Sequence, residues 1–400
     1  MSTQRDQALK PTRVLMVLDS FSEGGAETLA AELARCAPDT LNISVASLSP
    51  AERSSEAVVT RFVQAGLQPR YLAVRRLLDL AGFVRLVREF RSSSVDVIHA
   101  HLAYSAILVS LAAWLAGKPV VATLHVNPQT HAGRGGRIKD RLATWVPAAV
   151  GRLVLVSQYA FDCYARAHGP ARSTWRMIPN GIDLDRYRVH RGARRSGAPV
   201  WATIAALRPD KNHVELVRAW SGVVAAHPDA TLLVVGDGPS RGDIEEAVAE
   251  TGLQDSVRWL GFRNDIADIL GTVDGVVSAS VEEALPTALI EAGACGLPVV
   301  AADAGGTREI VVDGVNGRVV PVHDVPALTT ALLETIGDPA RAAAYGAAGR
   351  ARVEEMYSVH NWIERLQLLY QEVIEERSRV CWVGSHWDGY PIRRLASAKG

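Results

Sequence analysis

Short, β-branched apolar runs alternate with longer stretches of helical spacing along almost the whole chain. In the first half the runs are RVLMVL (13–18), LNISVASL (41–48), DVIHAH (96–101), PVVATLH (119–125) and RLVLVS (152–157). In the second half they are VWATIAAL (200–207), ATLLVVG (230–236), VRWLG (257–261), GVVSAS (275–280), LPVVAA (297–302) and GRVVP (317–321). Continuous Val/Ile/Leu runs mark strands buried on both faces, and their alternation with helices marks parallel sheets. The pattern therefore predicts an α/β chain of two doubly wound domains facing a central cleft. We place the first at 1–190 and the second at 191–359. The basic, apolar-poor segment 185–199 (DRYRVHRGARRSGAP) is the linker candidate. A final helix over 360–377 carries Trp362, Leu366, Leu369 and Val373 on one face, which predicts that it packs on something. The tail 378–400 has no assignable pattern.

The 400-residue length suits two domains of ordinary size, and 48% hydrophobic and 22% charged residues with zero formal net charge describe a globular chain. Cys36, Cys163, Cys295 and Cys381 are far apart, without a C-x-x-C pair, which fits a reducing cytoplasm better than a disulfide framework or a zinc site. VLMVL near the N-terminus is too short for a secretory leader and reads as a strand. The apolar run 102–117 (LAYSAILVSLAAWLAG) falls short of a membrane span and reads as a buried helix feeding the next strand.

In open parallel sheets, ligands bind beyond the carboxyl ends of the strands, so polar residues there are the candidates. Gly24 and Gly25 follow the first strand and open a helix, where backbone N–H groups can approach a phosphate or simply make a tight turn. GDGPSRGD (236–243) resembles a dinucleotide fingerprint, but its last glycine gap is one residue too long and it follows the wrong strand. His99 and His101 share one face of a strand; without a third ligand at suitable spacing they suggest a structural or substrate contact rather than a metal. His125 ends a strand and reads either as a group pointing toward the cleft or as a core histidine. Asp183 and Asp185, after an Asn-Gly pair, read as turn and cap residues. Arg208 and Lys211 lie just past a strand end, where two cations suit either an anionic group or a solvated loop.

The stretch VEEALPTALIEAGACG (281–296) is the most informative. Glu283 precedes a helix whose first turn Pro286 suits, while Glu291 lies well inside that helix, past the reach of a capping effect. The helix N-terminus aims free N–H groups at the cleft and suits a diphosphate. Glu291 could then accept two hydrogen bonds from a vicinal diol such as ribose, and Glu283 could reach a sugar on the other side of the phosphates.

From about Arg13 to Glu376 the chain resembles the retaining glycosyltransferases of family 4, which have the GT-B fold of two Rossmann-like domains. The resemblance rests on EALPTALIE followed by AGACGLPVVAADAGGTREIVVDGVNGRVV, with GGAE, HAH, TLH, IPNGID, LRPDKNH, GDGP and LGFRNDI in family order. It implies that Glu291 binds ribose hydroxyls, that Glu283 contacts the transferred sugar, and that backbone N–H groups from Leu285 through Pro286 to Thr287 lie near the diphosphate. Lys211 matches the lysine on the diphosphate, His125 the histidine beside the donor sugar, Gly25 the glycine-loop contact, and Phe262 and Arg263 the region reading the base. His99 and His101 are the candidates for acceptor contact. The terminal helix is expected to cross back onto the first domain.

Two positions depart from the family pattern. Ala206 stands where an arginine is common, with Arg208 as the expected substitute charge, and Ala284 stands where a glycine is common. The resemblance implies hexosyl transfer from a nucleotide sugar, UDP-sugar before GDP-mannose, to a hydroxyl acceptor with retention. No metal or other cofactor is implied, because Lys211, Arg208 and the helix end supply positive charge. Alternatives on the same fold are a sugar-nucleotide epimerase, a phosphorylase, or a non-catalytic two-lobed binding protein. Residues 53–152 hold fourteen basic residues against five acidic ones, an excess of nine. That excess suits an anionic membrane surface or a phosphorylated acceptor, or else a solvated surface balanced elsewhere. The resemblance implies a carbohydrate or lipid-linked acceptor, in polysaccharide, lipopolysaccharide or glycolipid synthesis, at the cytoplasmic face of the membrane. The basic residues lack interleaved aromatics, so nucleic acid is not expected.

Overall fold

The computed structural model describes residues 10–22, 24–74, 79–128, 133–189 and 197–385, with side chains to Ser378. Two all-parallel sheets form the frame. The first contains β1 (Thr12–Leu18), β2 (Leu41–Ser47), β3 (Arg70–Tyr71), β4 (Val97–His101), β5 (Val120–Leu124), β6 (Arg152–Leu155) and β7 (Trp175–Met177), in the order β3-β2-β1-β4-β5-β6-β7. The second contains β8 (Val200–Ile204), β9 (Thr231–Val235), β10 (Val257–Gly261), β11 (Gly275–Ser278), β12 (Val299–Ala302) and β13 (Arg318–Val320), in the order β10-β9-β8-β11-β12-β13. Every apolar run marked in the sequence is a strand. The additional strands β3 and β7 are two and three residues long at the sheet edges, too short to leave a pattern.

Strand order reverses between β1 and β4 in one sheet and between β8 and β11 in the other, the crevices where such folds bind ligands. Both faces of each sheet are covered, which is why β4 and β5 are buried at every position.

The helix Val359–Ser385 crosses to the first sheet and continues past the 360–377 stretch its apolar spacing marked. Trp362, Leu366, Leu369 and Val373, joined by Ile363 and Tyr370, pack with Val14, Met16, Val97 and Val121 of the first domain. Each such buried side chain is worth roughly 1.5–3 kcal/mol as an upper figure. Arg152, only partly exposed, pairs with Glu372 at 2.9 Å and with Glu376, and Arg176 reaches Glu372 at 2.5 Å. Residues 386–400 and the Cys381 side chain lie outside the described residues, as do 190–196 of the linker. Cys36, Cys163 and Cys295 are free thiols.

The apolar helix Ala103–Ala116 is buried all round from Ser105 to Ser110, as its sequence predicts, with Tyr104 at its start and Leu111, Trp114 and Leu115 near its end exposed. One sequence reading needs correction. The basic excess of 53–152 is not one surface. Arg152 is buried under the terminal helix, Arg70 pairs with Glu89, and Arg61 bonds across the cleft to Asn264. Arg75 and Arg76 lie outside the described residues. Among the described residues, no helix is long and apolar enough to cross a membrane.

Candidate functional site

A cavity of about 330 Å³ opens between the two domains at their strand ends. Gly25, Thr28 and Arg61 line it from the first domain, and Ala206, Phe262, Arg263, Thr287 and Glu291 from the second. Five residues singled out in the sequence as donor contacts, Gly25, Phe262, Arg263, Thr287 and Glu291, therefore share one wall-to-wall space. Leu285 is buried behind it and Pro286 caps the helix Thr287–Ala294; neither side chain lines the cavity.

Glu291 is the fifth residue of that helix. Tyr187 Oη donates to its Oε1 at 2.7 Å, leaving Oε2 for another donor. Burial pushes the carboxyl up to about 7, the phenol bond opposing the shift only in part. Burial also drives the Tyr187 hydroxyl upward, so it stays a donor. Tyr187 sits in the segment read as linker, where its polar neighbours hid it; it is 1% exposed, and its carbonyl accepts from Arg350 at 2.8 Å. Sequence reasoning missed it, and the only signal was a large aromatic among charged residues.

Before the helix, Glu283 Oε1 accepts from Lys211 Nζ at 2.6 Å, and both side chains are largely buried. The loop carrying Glu283 is pinned from several sides. Asn127 Nδ2 and the Gly306 N–H both donate to the Glu283 carbonyl at 3.1 Å, and Ser157 Oγ donates to the Ala284 carbonyl at 2.6 Å. Asn127 and Ser157 belong to the first domain, so the loop registers the position of one domain against the other. Arg208 does not fill the place left by Ala206. It is half exposed, forms two hydrogen bonds to Asp210 at 3.0 and 2.8 Å, and does not line the cavity. The chain turns between β8 and Lys211, and that turn redirects the guanidinium.

The three histidines meet in the first domain. His99 and His101 rings lie 4.1 Å apart, and His101 and His125 stack at 5.4 Å with planes only 16° apart. His99 binds Tyr370 Oη and Thr123 Oγ1, both at 2.7 Å, and His101 Nδ1 faces His125 Nε2 at 3.1 Å. His99 and His101 are 1% and 2% exposed, which corrects their reading as acceptor contacts: they lie beneath His125. Burial lowers His99 to about 3 and His125 to about 4, so all three imidazoles are neutral near pH 7. Among the described residues no three His, Cys, Asp or Glu are placed to hold a metal ion.

Gly24 precedes the helix Gly25–Arg35, whose N-terminus faces the cavity beside Gly25. Asp183 makes the expected turn, its Oδ1 accepting from the Asp185 N–H at 2.9 Å, and it also pairs with Arg35. Arg61 bonds Thr28 in its own domain and Asn264 in the other, while Arg186 donates to the Asn264 carbonyl at 2.8 Å. The cavity itself is lined by a buried carboxylate and a helix N-terminus, while the Lys211–Glu283 pair and the neutral His125, like Arg208, are not among its lining residues.

Comparisons with known proteins match both halves of the chain. A family model described as Glycosyltransferase Family 4 matches residues 23–186, and one described as Glycosyl transferases group 1 matches residues 190–352. A GDP-mannose-dependent alpha-(1-6)-phosphatidylinositol monomannoside mannosyltransferase of Mycolicibacterium smegmatis is 33% identical over 227 residues, 52% of this chain and 58% of that protein. The chain thus matches less than two thirds of that relative's length. A 2-deoxystreptamine glucosyltransferase of Streptomyces kanamyceticus is 27% identical over 352 residues, 80% of this chain and 90% of that protein. Among solved structures, Anabaena HepE in complex with UDP superposes with a TM-score of 0.78 at 22% identity, covering 90% of this chain and 100% of that one. HepE in complex with UDP-glucose gives 0.76 at 23%, over 92% and 99%. At these identities the likeness establishes the fold.

Proposed function

The chain belongs to glycosyltransferase family 4 and has the GT-B fold, and on that premise we propose that it moves a hexose from a nucleoside diphosphate sugar to a hydroxyl acceptor with retention at the anomeric carbon. The observation that carries this reading is the order of groups along 283–291: a carboxylate held by Lys211, a helix N-terminus, then a buried carboxylate in the interdomain cavity. Glu291 Oε2 accepts from the ribose diol, its partner oxygen being held by Tyr187. The N–H groups at the start of Thr287–Ala294 and the Lys211 ammonium meet the diphosphate. Glu283, now paired with Lys211, turns to the hexose hydroxyls when the diphosphate takes over the lysine.

In the reaction the bond from the anomeric carbon to the phosphate oxygen breaks through an oxocarbenium-like state. The acceptor oxygen bonds to the same face, and its proton passes to the departing phosphate. Lys211 and the helix N-terminus stabilise the charge on the leaving group, so no metal is assigned a role. Neutral His125, beside the hexose, can hydrogen-bond without repelling the developing cation. Arg208, held by Asp210, is left outside this set.

A UDP-sugar is the favoured donor, because UDP and UDP-glucose occupy the HepE structures, and GDP-mannose, named in the mannosyltransferase, is second. The acceptor is a carbohydrate or lipid-linked hydroxyl, presented at the cytoplasmic face of a membrane. The test is a screen of nucleotide sugars for release of UDP or GDP with and without acceptors, with the product anomer read by NMR. Acceptor-dependent release with retention supports the proposal. An epimerised donor, phosphate-dependent release, or binding without turnover would instead assign the chain to an epimerase, a phosphorylase or a binding protein.

A further inference from the structure

The helix Glu56–Gln64 is fixed to the first domain by Val58 and Phe62, both buried, with the Phe62 ring 5.0 Å from that of Phe21. Arg61 precedes Phe62 by one position, about 100° round the helix, and so leaves the core for the interdomain space. There its guanidinium spans the two domains. Nη1 donates to Thr28 Oγ1 on its own side, and Nη2 to Asn264 Oδ1 on the other. Thr28 Oγ1 in turn donates to the Gly24 carbonyl at 3.1 Å, so a single hydroxyl links the guanidinium to the glycine turn. Glu27, whose carboxyl lies against Gly24, feels the same charge: burial pushes it up to about 7, and Arg61 works against that rise.

The charge that the site must receive singles this group out. A sugar nucleotide brings a dianionic diphosphate to the N-terminus of the helix Thr287–Ala294, and taking it out of water needs cations as well as N–H groups. Lys211 is bonded to Glu283 at 2.6 Å and Arg208 to Asp210, and neither lines the cavity; Ala206, which does, brings only a methyl. Among the described residues three arginines line it. Arg263 is exposed and donates to Asp265 Oδ1 at 2.7 Å, and Arg186 is exposed and donates to the Asn264 carbonyl at 2.8 Å. Arg61 is half-buried and shares the cavity wall with Gly25, Ala206 and Thr287, the positions that the proposed donor places around its diphosphate. It also lines an adjoining space of about 1020 Å³ beside Ser55 and Gln64, so its side chain belongs to the partition between the two.

We propose that Arg61 is a donor-binding residue: supplied by the first domain across the cleft, it neutralises the diphosphate from the side that Ala206 leaves without charge. The inference rests on the nucleotide-sugar reading and names a group that completes its donor site. The bond to Asn264 holds the guanidinium within reach, and the more strongly accepting diphosphate oxygens then compete for it. The cation comes from one domain and the helix N-terminus from the other, so a bound diphosphate ties the two together.

The test is calorimetry on the full chain with UDP and GDP, together with competition by uridine and guanosine. Arg61→Gln keeps an amide that can bond Thr28 or Asn264 but removes the charge. Affinity for the nucleoside diphosphate should fall about ten- to hundredfold, while nucleoside affinity stays within about twofold. Arg61→Lys, which restores the charge without the planar fork, should recover part of the loss. Wild-type diphosphate affinity should also fall more steeply with salt than that of Arg61→Gln. Undiminished nucleotide affinity in Arg61→Gln would overturn the proposal. Equal losses for nucleotide and nucleoside would overturn it too, reducing Arg61 to an interdomain hydrogen bond. If the unmodified chain bound neither UDP nor GDP, the transferase reading itself would fail, and this inference with it, so the two failures are distinguishable.

Discussion

Replacing Glu291 by glutamine tests the site where burial, charge and ligand meet. The variant keeps an acceptor for Tyr187 Oη, which lies 2.7 Å from Oε1, but it loses the negative charge and turns one ribose-facing oxygen into a donor. A hydrogen bond to a charged acceptor is worth about 1.5–3 kcal/mol, against about 0.5–1.5 for a neutral pair. Weakening one or both ribose bonds therefore costs roughly 1.4–2.8 kcal/mol, a ten- to hundredfold fall in affinity. The fall should be the same for free UDP or GDP and for the sugar nucleotide. Calorimetry at several pH values extends the test. The wild-type carboxyl titrates at about 7, so its nucleotide affinity should rise from pH 6 to pH 8 while the variant stays flat. Stability should move the other way. Because burial raises this group from 4.5 to about 7, its proton is held more tightly in the folded chain than in the unfolded one. The associated stability is complete below pH 4.5 and is lost as pH rises through 7, leaving a charge-burial cost of up to about 3 kcal/mol at pH 8. Glutamine removes that titration, so its Tm relative to wild type should increase with pH. Glu283→Gln is the control: it releases Lys211 from its 2.6 Å pair, so free-nucleotide affinity should hold or rise while sugar-donor turnover falls. Equal losses of free-nucleotide affinity in the two variants would refute the assignment of the glutamates.

Other expectations follow from the same geometry. Gly25→Ala places its methyl where no atom lies within 4 Å, so Tm should hold while calorimetry shows donor affinity reduced about tenfold by crowding in the cavity. Gly236→Ala, in contrast, would put Cβ 1.9 Å from the Ala205 carbonyl oxygen at a φ of 139°, and should lower Tm strongly. His101→Leu removes the group facing His125 Nε2 and should lower kcat with little change in KM, whereas His101→Asn, keeping a donor near Nδ1, should recover much of the loss; identical kinetics in both variants would reduce the stack to packing. A fragment from Val200 to Tyr357 should fold and bind nucleotide measurably by calorimetry, more weakly than the whole chain because Gly25 and Arg61 line the same cavity. Extending that fragment through the terminal helix should cause aggregation on size-exclusion chromatography, since Trp362, Leu366 and Leu369 would lose their first-domain partners.

The sequence by itself determined the two parallel sheets, because strands buried on both faces must be continuous apolar runs, and the spacing of Trp362, Leu366, Leu369 and Val373 determined that the last helix buries one face, its crossing onto the first domain being implied only by the family resemblance. It also marked Glu291, a carboxylate inside an apolar helix past the reach of capping, while Glu283 and Lys211 in their loops were singled out only by the family resemblance. Strands β3 and β7 were invisible because two or three residues carry no period. Only the tertiary structure decided the pairings. Tyr187, 104 positions from Glu291, becomes its hydrogen-bond partner, and Asn127, 156 positions from Glu283, holds its carbonyl. It turned Arg208 toward Asp210 and away from the gap at Ala206, and it placed His99 and His101 beneath His125. Composition could count the first domain's basic residues, but which of them face solvent depends on how the helices pack. Local pattern fixes which face of an element is apolar; which distant groups share a space is set by the packing of whole elements, and no run of neighbours along the chain encodes it.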